Sequence, residues 1–344
     1  MVAASVDGRV GPAELVRLAA VARRFYLDGR SKLEIAEEFG VSRFKIARLL
    51  DQALASGIVR IEVGVPARID PELSERIRTT YQLRHAIVVD TPENPETDLR
   101  AHLARVAADL LAETVVEGDI LGLGYGRTLT VMTDALTRLA RCTVVQLSGA
   151  LLGVNVQENS IELVRRVAAV SGGPAFPIYT PQVLPDFATA EALRRQPQVA
   201  EAQRRWNQLT KAVIAVGSWD PPHSQLYIAL SQRERDQLRA QGACAELCAN
   251  LLDADGRPVA TDFTDRCITI TAGQLRTVDE VIAVGGGHDK IAAFRALLKG
   301  GYATSLITDV IVARALLDQP PSLAVHAQRN EKQLPAPDTP HPRR

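Results

Sequence analysis

A small winged helix-turn-helix followed by a doubly wound α/β domain is the architecture this sequence predicts, and three observations predict it. Residues 31–63, SKLEIAEEFGVSRFKIARLLDQALASGIVRIEV, combine helix start signals, glycine stops and helical spacing of apolar residues in one short span. From His85 onward, short apolar runs alternate with amphipathic helical patterns. Between the two regions, Pro66 and Pro71 bracket a break. Strands that are short, apolar throughout and separated by helices belong in a parallel sheet covered on both faces.

The chain has 344 residues, 46% of them apolar, enough to bury a substantial core, and that length allows about two or three domains. Residues 1–11, with Gly8 and Gly11 and little periodicity, are expected to form a flexible N-terminus. Pro12 opens a helix whose apolar side is read as Leu15, Leu18, Ala19, Ala22 and Tyr26, and Gly29 ends it. Ser31 caps the next helix with Glu34 at capping-box spacing. Leu33, Ile35, Ala36 and Phe39 supply its apolar side, and Gly40 stops it. After the turn at Val41, Ser42 caps a third helix along which Ile46, Leu49, Leu50 and Leu54 recur, closed by Gly57. Ile58 to Val63 alternates Val and Ile with Arg and Glu, as the strand of a wing does. The winged domain is therefore placed at residues 12–66.

In a helix-turn-helix the second of the paired helices enters the DNA major groove, led by its first turns. Ser42, Arg43, Phe44, Lys45 and Arg48 fall there. Arg43, Lys45 and Arg48 lie away from Ile46, Leu49 and Leu50, and they offer the donors that guanine edges and phosphates accept. The bland alternative is a pair of surface helices with solvated Arg and Lys; agreement of cap, turn, core spacing and basic face weighs against it. The formal net charge is zero, and residues 1–66 carry ten Arg and Lys against eight Asp and Glu. DNA affinity must then come from a local patch and from oligomerisation.

Residues 67–319 are read as the second domain. A helix from Pro71 to about Tyr81 precedes strands at His85–Val89, Ile120–Leu123, Val144–Leu147, Ala212–Val216, Val281–Val284 and Ser305–Ile307. Helices are expected over about Glu96–Val116, Thr128–Leu139, Glu158–Val170, Lys290–Lys299 and Val310–Leu317. Residues 320–344, polar and proline-rich, are expected to be a disordered tail. No signal peptide or membrane-length apolar run is evident, so a cytoplasmic, reduced protein without membrane contact is expected. Cys142, Cys244, Cys248 and Cys267 then read as core thiols, and no metal or other cofactor is implied.

Gly118 to Thr128, GDILGLGYGRT, is a strand running into a glycine-rich loop and then a helix. Glycines let backbone amides approach an anion, the helix start adds its positive end and Thr128 a hydroxyl, so phosphate is the natural guest. The spacing is neither Gly-x-Gly-x-x-Gly nor a Gly-Lys-Ser/Thr loop, and the next strand ends without an acid for a ribose. A tight turn that needs glycine for its backbone alone is the other reading. Ser148-Gly149-Ala150, Gly217-Ser218 and Gly285-Gly286-Gly287-His288-Asp289-Lys290 also follow strands, and in a doubly wound sheet such ends converge on one crevice. Lys290 opens a helix and is one of only six lysines, well placed for a phosphate or a sugar hydroxyl. Glu246 sits in the apolar run Gly242-Ala243-Cys244-Ala245-Glu246, where a carboxylate needs partners. Sugar hydroxyls and a basic neighbour both qualify.

Taken together, these pieces resemble the SorC family of bacterial transcriptional regulators, which includes the DeoR and central-glycolytic-gene repressors. The resemblance spans about residues 13–318 and rests on Glu34-Ile35-Ala36, Ser42 to Leu50, Ala55 to Val59, Gly122 to Thr128, Gly242 to Gly256, Gly285 to Lys290 and Gly300 to Asp309. It implies a winged helix-turn-helix joined to an effector domain similar to sugar-phosphate isomerases and deaminases. It also implies dimers or tetramers on palindromic operators in double-stranded DNA, with a phosphorylated sugar altering DNA affinity. By position, Gly124, Gly126, Arg127 and Thr128 would hold the phosphate, Glu246 the sugar hydroxyls, and Lys290 and Asp309 the remaining polar contacts. The family more often has Gly-Ala-Val-Gly-Asp where this chain has Gly-Ala-Cys-Ala-Glu, so Ala245 would narrow a pocket lined by that backbone. An isomerase or deaminase with a DNA-binding appendage is the competing function, with Glu246, His288, Asp289 and Asp309 as its candidate acids and bases.

Overall fold

The computed structural model describes residues 11–59, 68–90, 96–151, 160–219 and 221–320. The chain divides into two compact units, Met1–Gly64 and Val65–Arg344.

The first unit holds α1 (Pro12–Tyr26), α2 (Lys32–Phe39) and α3 (Arg43–Ala55). The capping box forms as its spacing predicts: the Ser31 hydroxyl accepts from the Glu34 N–H, and the Glu34 carboxylate accepts from the Ser31 N–H at 2.8 Å. Gly40 ends α2 at φ 62°, a left-handed conformation that costs glycine little. Leu18, Val21 and Ala22 of α1, Ile35 and Ala36 of α2, and Ile46, Leu49, Leu50 and Ala53 of α3 make one core. Arg24 and Arg30 both reach Glu38, tying the end of α1 and the turn after it to α2. Leu15, Tyr26, Leu33 and Leu54, expected on buried faces, are exposed. Helices this short bury a stripe only one or two turns long against their neighbours, so apolar residues at its margins stay in solvent. Ile58 and Val59 pack partly buried against the core. The wing strand expected to run on to Val63 lies mostly outside the described residues, as do the N-terminal stretch and the proline-rich tail.

The second unit runs α4 (Pro71–Tyr81), β1 (His85–Val89), α5 (Glu96–Thr114), β2 (Ile120–Leu123), α6 (Arg127–Ala135), β3 (Thr143–Gln146), α7 (Ser160–Ser171), β4 (Ala175–Phe176), α8 (Phe187–Arg194), α9 (Pro197–Trp206) and β5 (Lys211–Ala215). It continues with β6 (Gly217–Ser218), α10 (Gln225–Ala229), α11 (Gln232–Ala240), β7 (Ala245–Leu247), β8 (Asn250–Leu252), β9 (Pro258–Val259), α12 (Thr261–Asp265) and α13 (Ala272–Thr277). It ends with β10 (Glu280–Val284), a 3-10 turn (His288–Lys290), α14 (Ile291–Lys299), β11 (Ser305–Asp309) and α15 (Val310–Asp318).

Seven strands form one parallel sheet in the order β1-β11-β10-β5-β2-β3-β4. Alternation along each strand sends Val281 and Ala283 to one face and Ile282 and Val284 to the other. On the first face they meet Ile77 of α4, Trp206 of α9, Phe294 of α14 and Leu316 of α15. On the second they meet Leu103 of α5, Met132 of α6 and Val167 of α7. Helices on both faces are what strands without a polar side require. The helix expected over Thr128–Leu139 starts at Arg127 and stops early, at Ala135. A second, antiparallel sheet, β6-β7-β8-β9, has no counterpart in the sequence reading. Its strands are only two or three residues long, too short for alternation to register.

Candidate functional site

The chain leaves β2 toward β3 and β4 on one side, whereas β5, β10 and β11 build the other. The order therefore reverses between β2 and β5, and a crevice opens at the carboxyl ends of those strands, where doubly wound sheets bind ligands. The unfilled space of the crevice, counted out to open solvent, is about 800 Å³.

Tyr125, Gly126, Arg127 and Thr128 form one wall, at the start of α6. Gly126 is there because nothing larger fits: a Cβ on it would stand 2.5 Å from the Ala215 Cβ. The first amides of α6 lack carbonyls from an earlier turn and lie beside the Arg127 and Thr128 side chains, which suits an anion. Arg100 of α5 adds a second guanidinium. Gly124, expected to hold phosphate, lies beneath the crevice rather than on its wall. Its N–H donates to the Val213 carbonyl at 2.8 Å, and a Cβ on it would meet the Cys248 Sγ at 3.2 Å. Close packing of β2 against β5 accounts for this glycine, whereas Gly126 does reach the wall.

Glu246 and Lys290 both reach the crevice. Lys290 Nζ donates to the Val216 carbonyl at 2.8 Å. The Glu246 carboxylate accepts from the Ser224 hydroxyl at 3.0 Å and from the Ala249 N–H at 2.6 Å. Burial pushes the Glu246 carboxyl above the usual range, against the pull of the Ala249 N–H, the Ser224 hydroxyl and the Lys290 charge. Gly217 makes room for it, because a Cβ there would stand 2.5 Å from Oε2. Leu247 and Asn250 pair across a two-residue turn in which Cys248 and Ala249 both have positive φ, 48° and 65°. That turn type normally takes Asn-Gly, so β-carbon-bearing residues here store strain beside the carboxylate they help to hold. Burial pushes the Cys248 thiol far up, which makes it a wall and not a nucleophile. Ala245, expected to narrow the pocket, is fully buried in the apolar core on the face opposite Glu246.

Asp309 does not line the crevice. It is 2% exposed, caps α15 by accepting from the Val312 N–H at 3.1 Å, and accepts from the Gly287 N–H at 3.3 Å. Through the Gly287 N–H it holds the loop that carries Lys290. His288 is 81% exposed. The competing set of Glu246, His288, Asp289 and Asp309 is thus not gathered on one wall, and among the described residues no cluster of His, Cys, Asp and Glu could hold a metal ion.

The sequence reading missed His223, Ser224 and Gln225 in the segment after β6, Arg100 on α5, and Gln182, all wall residues. The rule that loops after strands converge pointed as far as Ser218. Nothing local distinguishes Arg100 from the other arginines on helix surfaces.

In the first unit, Ser42, Arg43, Phe44, Lys45 and Arg48 are all exposed. Ser42 is the N-cap of α3, its hydroxyl accepting from the Lys45 N–H at 3.3 Å. The Arg43 guanidinium lies 5.5 Å from the centre of the Phe44 ring. Among the described residues no carboxylate pairs with Arg43, Lys45 or Arg48.

Residues 67–318 match the family model of the sugar-binding domain. The chain is 29% identical over 303 residues to the transcriptional regulator YjhU of Escherichia coli (strain K12), covering 85% of this chain and 92% of that one. It is 27% identical over 300 residues to the deoxyribonucleoside regulator of Bacillus subtilis (strain 168), covering 86% and 96%. The crystal structure of the full-length sorbitol operon regulator SorC from Klebsiella pneumoniae shares the fold, with a TM-score of 0.67 at 21% identity over 89% of this chain and 99% of that one.

Proposed function

The chain belongs to the sugar-binding-domain family of SorC-type transcriptional regulators, and from that premise we propose that its operator affinity is set by a phosphorylated sugar bound in the crevice. The observation that carries this reading is the convergence, at the topological switch point, of Arg127 and Thr128 at a helix start with Lys290 and Glu246. The phosphate would sit at the start of α6, with Gly126 allowing the approach, and Lys290 and Glu246 would take sugar hydroxyls. Residues 12–66 would read a palindromic operator in double-stranded DNA through Arg43, Lys45 and Arg48, with Ser42 and Phe44 at the leading edge of α3. Residues 67–319 would bind the sugar and join copies of the chain into a dimer or tetramer in the cytoplasm. Two linked readers bind far more tightly than one, which answers the near-neutral charge of the first unit. The sugar changes operator affinity only by favouring one arrangement of those copies over another. The relatives are named as regulators, so the isomerase or deaminase alternative is not favoured.

Fluorescence anisotropy on a duplex selected from a random pool by the full-length protein tests both halves. Arg43→Ala is expected to weaken binding by about 1–3 kcal/mol if it contacts a base. Thr128→Ala with Lys290→Ala should leave sugar-free operator binding intact and abolish its response to phosphorylated sugars. Unchanged affinity in an Arg43→Ala, Lys45→Ala protein would sink the DNA half, and an intact sugar response in the other double variant would sink the crevice.

A further inference from the structure

We propose that Gln225, with His223 beside it, is the specificity-determining wall of the crevice, selecting a sugar with one phosphate and a hydroxyl- or amino-bearing end over a sugar bisphosphate. This deepens the sugar-phosphate reading above and rests on it.

The crevice is chemically two-ended. Arg100 of α5 and Arg127 of α6, two helices that pack on one another, are its lining arginines. The opposite wall, built by β7 and the segment after β6, offers acceptors. One is the Glu246 carboxylate. A second is Gln225, whose Oε1 is closed off from solvent and meets no donor from the protein. A buried acceptor without a donor is rare and destabilising in a folded protein, and a ligand that supplies the donor relieves it. Beside them His223 also lines the crevice, its Nε2 3.1 Å from the Asp289 carboxylate.

Hydroxyl and amino groups satisfy such a wall. A second phosphate matches it less well: its oxygens only accept, and they would meet the Glu246 carboxylate and the Gln225 Oε1, leaving the Lys290 ammonium and the Gln225 amide N–H groups as the donors on that side. Exclusion by unmatched acceptors is an effective discriminator, because the wrong ligand leaves buried polar groups on both sides unpaired.

Isothermal titration of the full-length protein tests this with inorganic phosphate, fructose 6-phosphate against fructose 1,6-bisphosphate, and ribulose 5-phosphate against ribulose 1,5-bisphosphate. At least one monophosphate should bind about ten-fold or more tightly than its bisphosphate partner. Gln225→Leu and, separately, His223→Phe should weaken that monophosphate by about ten-fold and about three-fold while inorganic phosphate changes by less than about two-fold. Gln225→Arg should narrow or invert the preference. Thermal melts identify variants that remain folded, and His223→Phe, at a partly exposed position, serves if Gln225→Leu does not fold. A bisphosphate bound as tightly as its monophosphate overturns the proposal, and so do folded variants that bind the monophosphate as the parent does. In those cases the sugar-phosphate reading survives. If the parent protein binds neither phosphate nor any phosphorylated sugar, both readings fall together.

Discussion

Arg43, Lys45 and Arg48 stand in solvent on α3 without a carboxylate among the described residues, whereas Lys290 and Glu246 are each held by groups from other elements. The difference follows from what each surface would meet. A polyanion supplies its own counter-charge, and exposed cations on a short capped helix need only be aimed. A small ligand in a crevice must find its donors and acceptors already placed, because a misdirected side chain there costs affinity and specificity. Glu246 accordingly accepts from Ser224 and Ala249, Gly217 is the residue that leaves it room, and Asp309 fixes the loop that carries Lys290.

The contrast is broken most severely by separating the two units. Ile46 is fully buried in the three-helix core, and Ile46→Ala should remove about 2–5 kcal/mol, enough to unfold so small a unit. Operator binding should vanish in anisotropy, while the stabilisation of the remaining fold by a phosphorylated sugar persists in a thermal shift. Loss of both would mean that the units do not fold independently.

The converse change is smaller and acts on the crevice. Gly126→Val places carbon where Ala215 already stands, 2.5 Å from the new Cβ. Overpacking of this kind costs about 1–3 kcal/mol, and the larger consequence is a closed phosphate end. Sugar-free operator binding should stay within about two-fold of the parent, with no response to phosphorylated sugars. A retained response would move the phosphate away from α6.

The same comparison explains how much was legible in the sequence. Ser31 with Glu34, Gly40, Ser42 and the Ile46, Leu49, Leu50 stripe are all local signals, so the helices of the first unit and the exposed face of α3 could be read directly. Six of the seven strands of the parallel sheet were legible because they are largely apolar on both faces, whereas β4, two residues long, left no such run. In the crevice, Gly126, Arg127, Thr128, Glu246 and Lys290 could be read from strand-end position and residue type, and the structure places all five on its walls. Gly124, read by the same criteria, and Asp309, carried over from the family resemblance, do not line the crevice, since a glycine serves close packing as readily as ligand approach, and an aspartate before a helix serves as its cap. His223 and Gln225 could not be found at all. Their position depends on a second sheet whose two- and three-residue strands leave no periodic trace.

The smallest effect tests whether engaged charges hold the fold of the second unit away from the crevice as well as within it. Glu234, at the start of α11, accepts from Ser231 and pairs with Arg266, and these partners hold its carboxyl down at about 2 instead of 4.5. A folded pKa below the unfolded one means that the unfolded chain binds the proton more strongly. The stabilisation is therefore fully present above the unfolded value and is lost as the pH falls toward about 2. The side chain keeps 31% of its exposure, so solvent screens the pair, and about 1 kcal/mol or less is expected. Glu234→Gln should lower stability by that amount at pH 7, with the gap closing as the pH falls from about 5 toward 2, where the parent carboxyl is itself neutral. Urea unfolding of the two proteins across that range would measure it. A gap that stayed constant with pH would assign the loss to packing, and the charge of Glu234 would then have no part in holding α11.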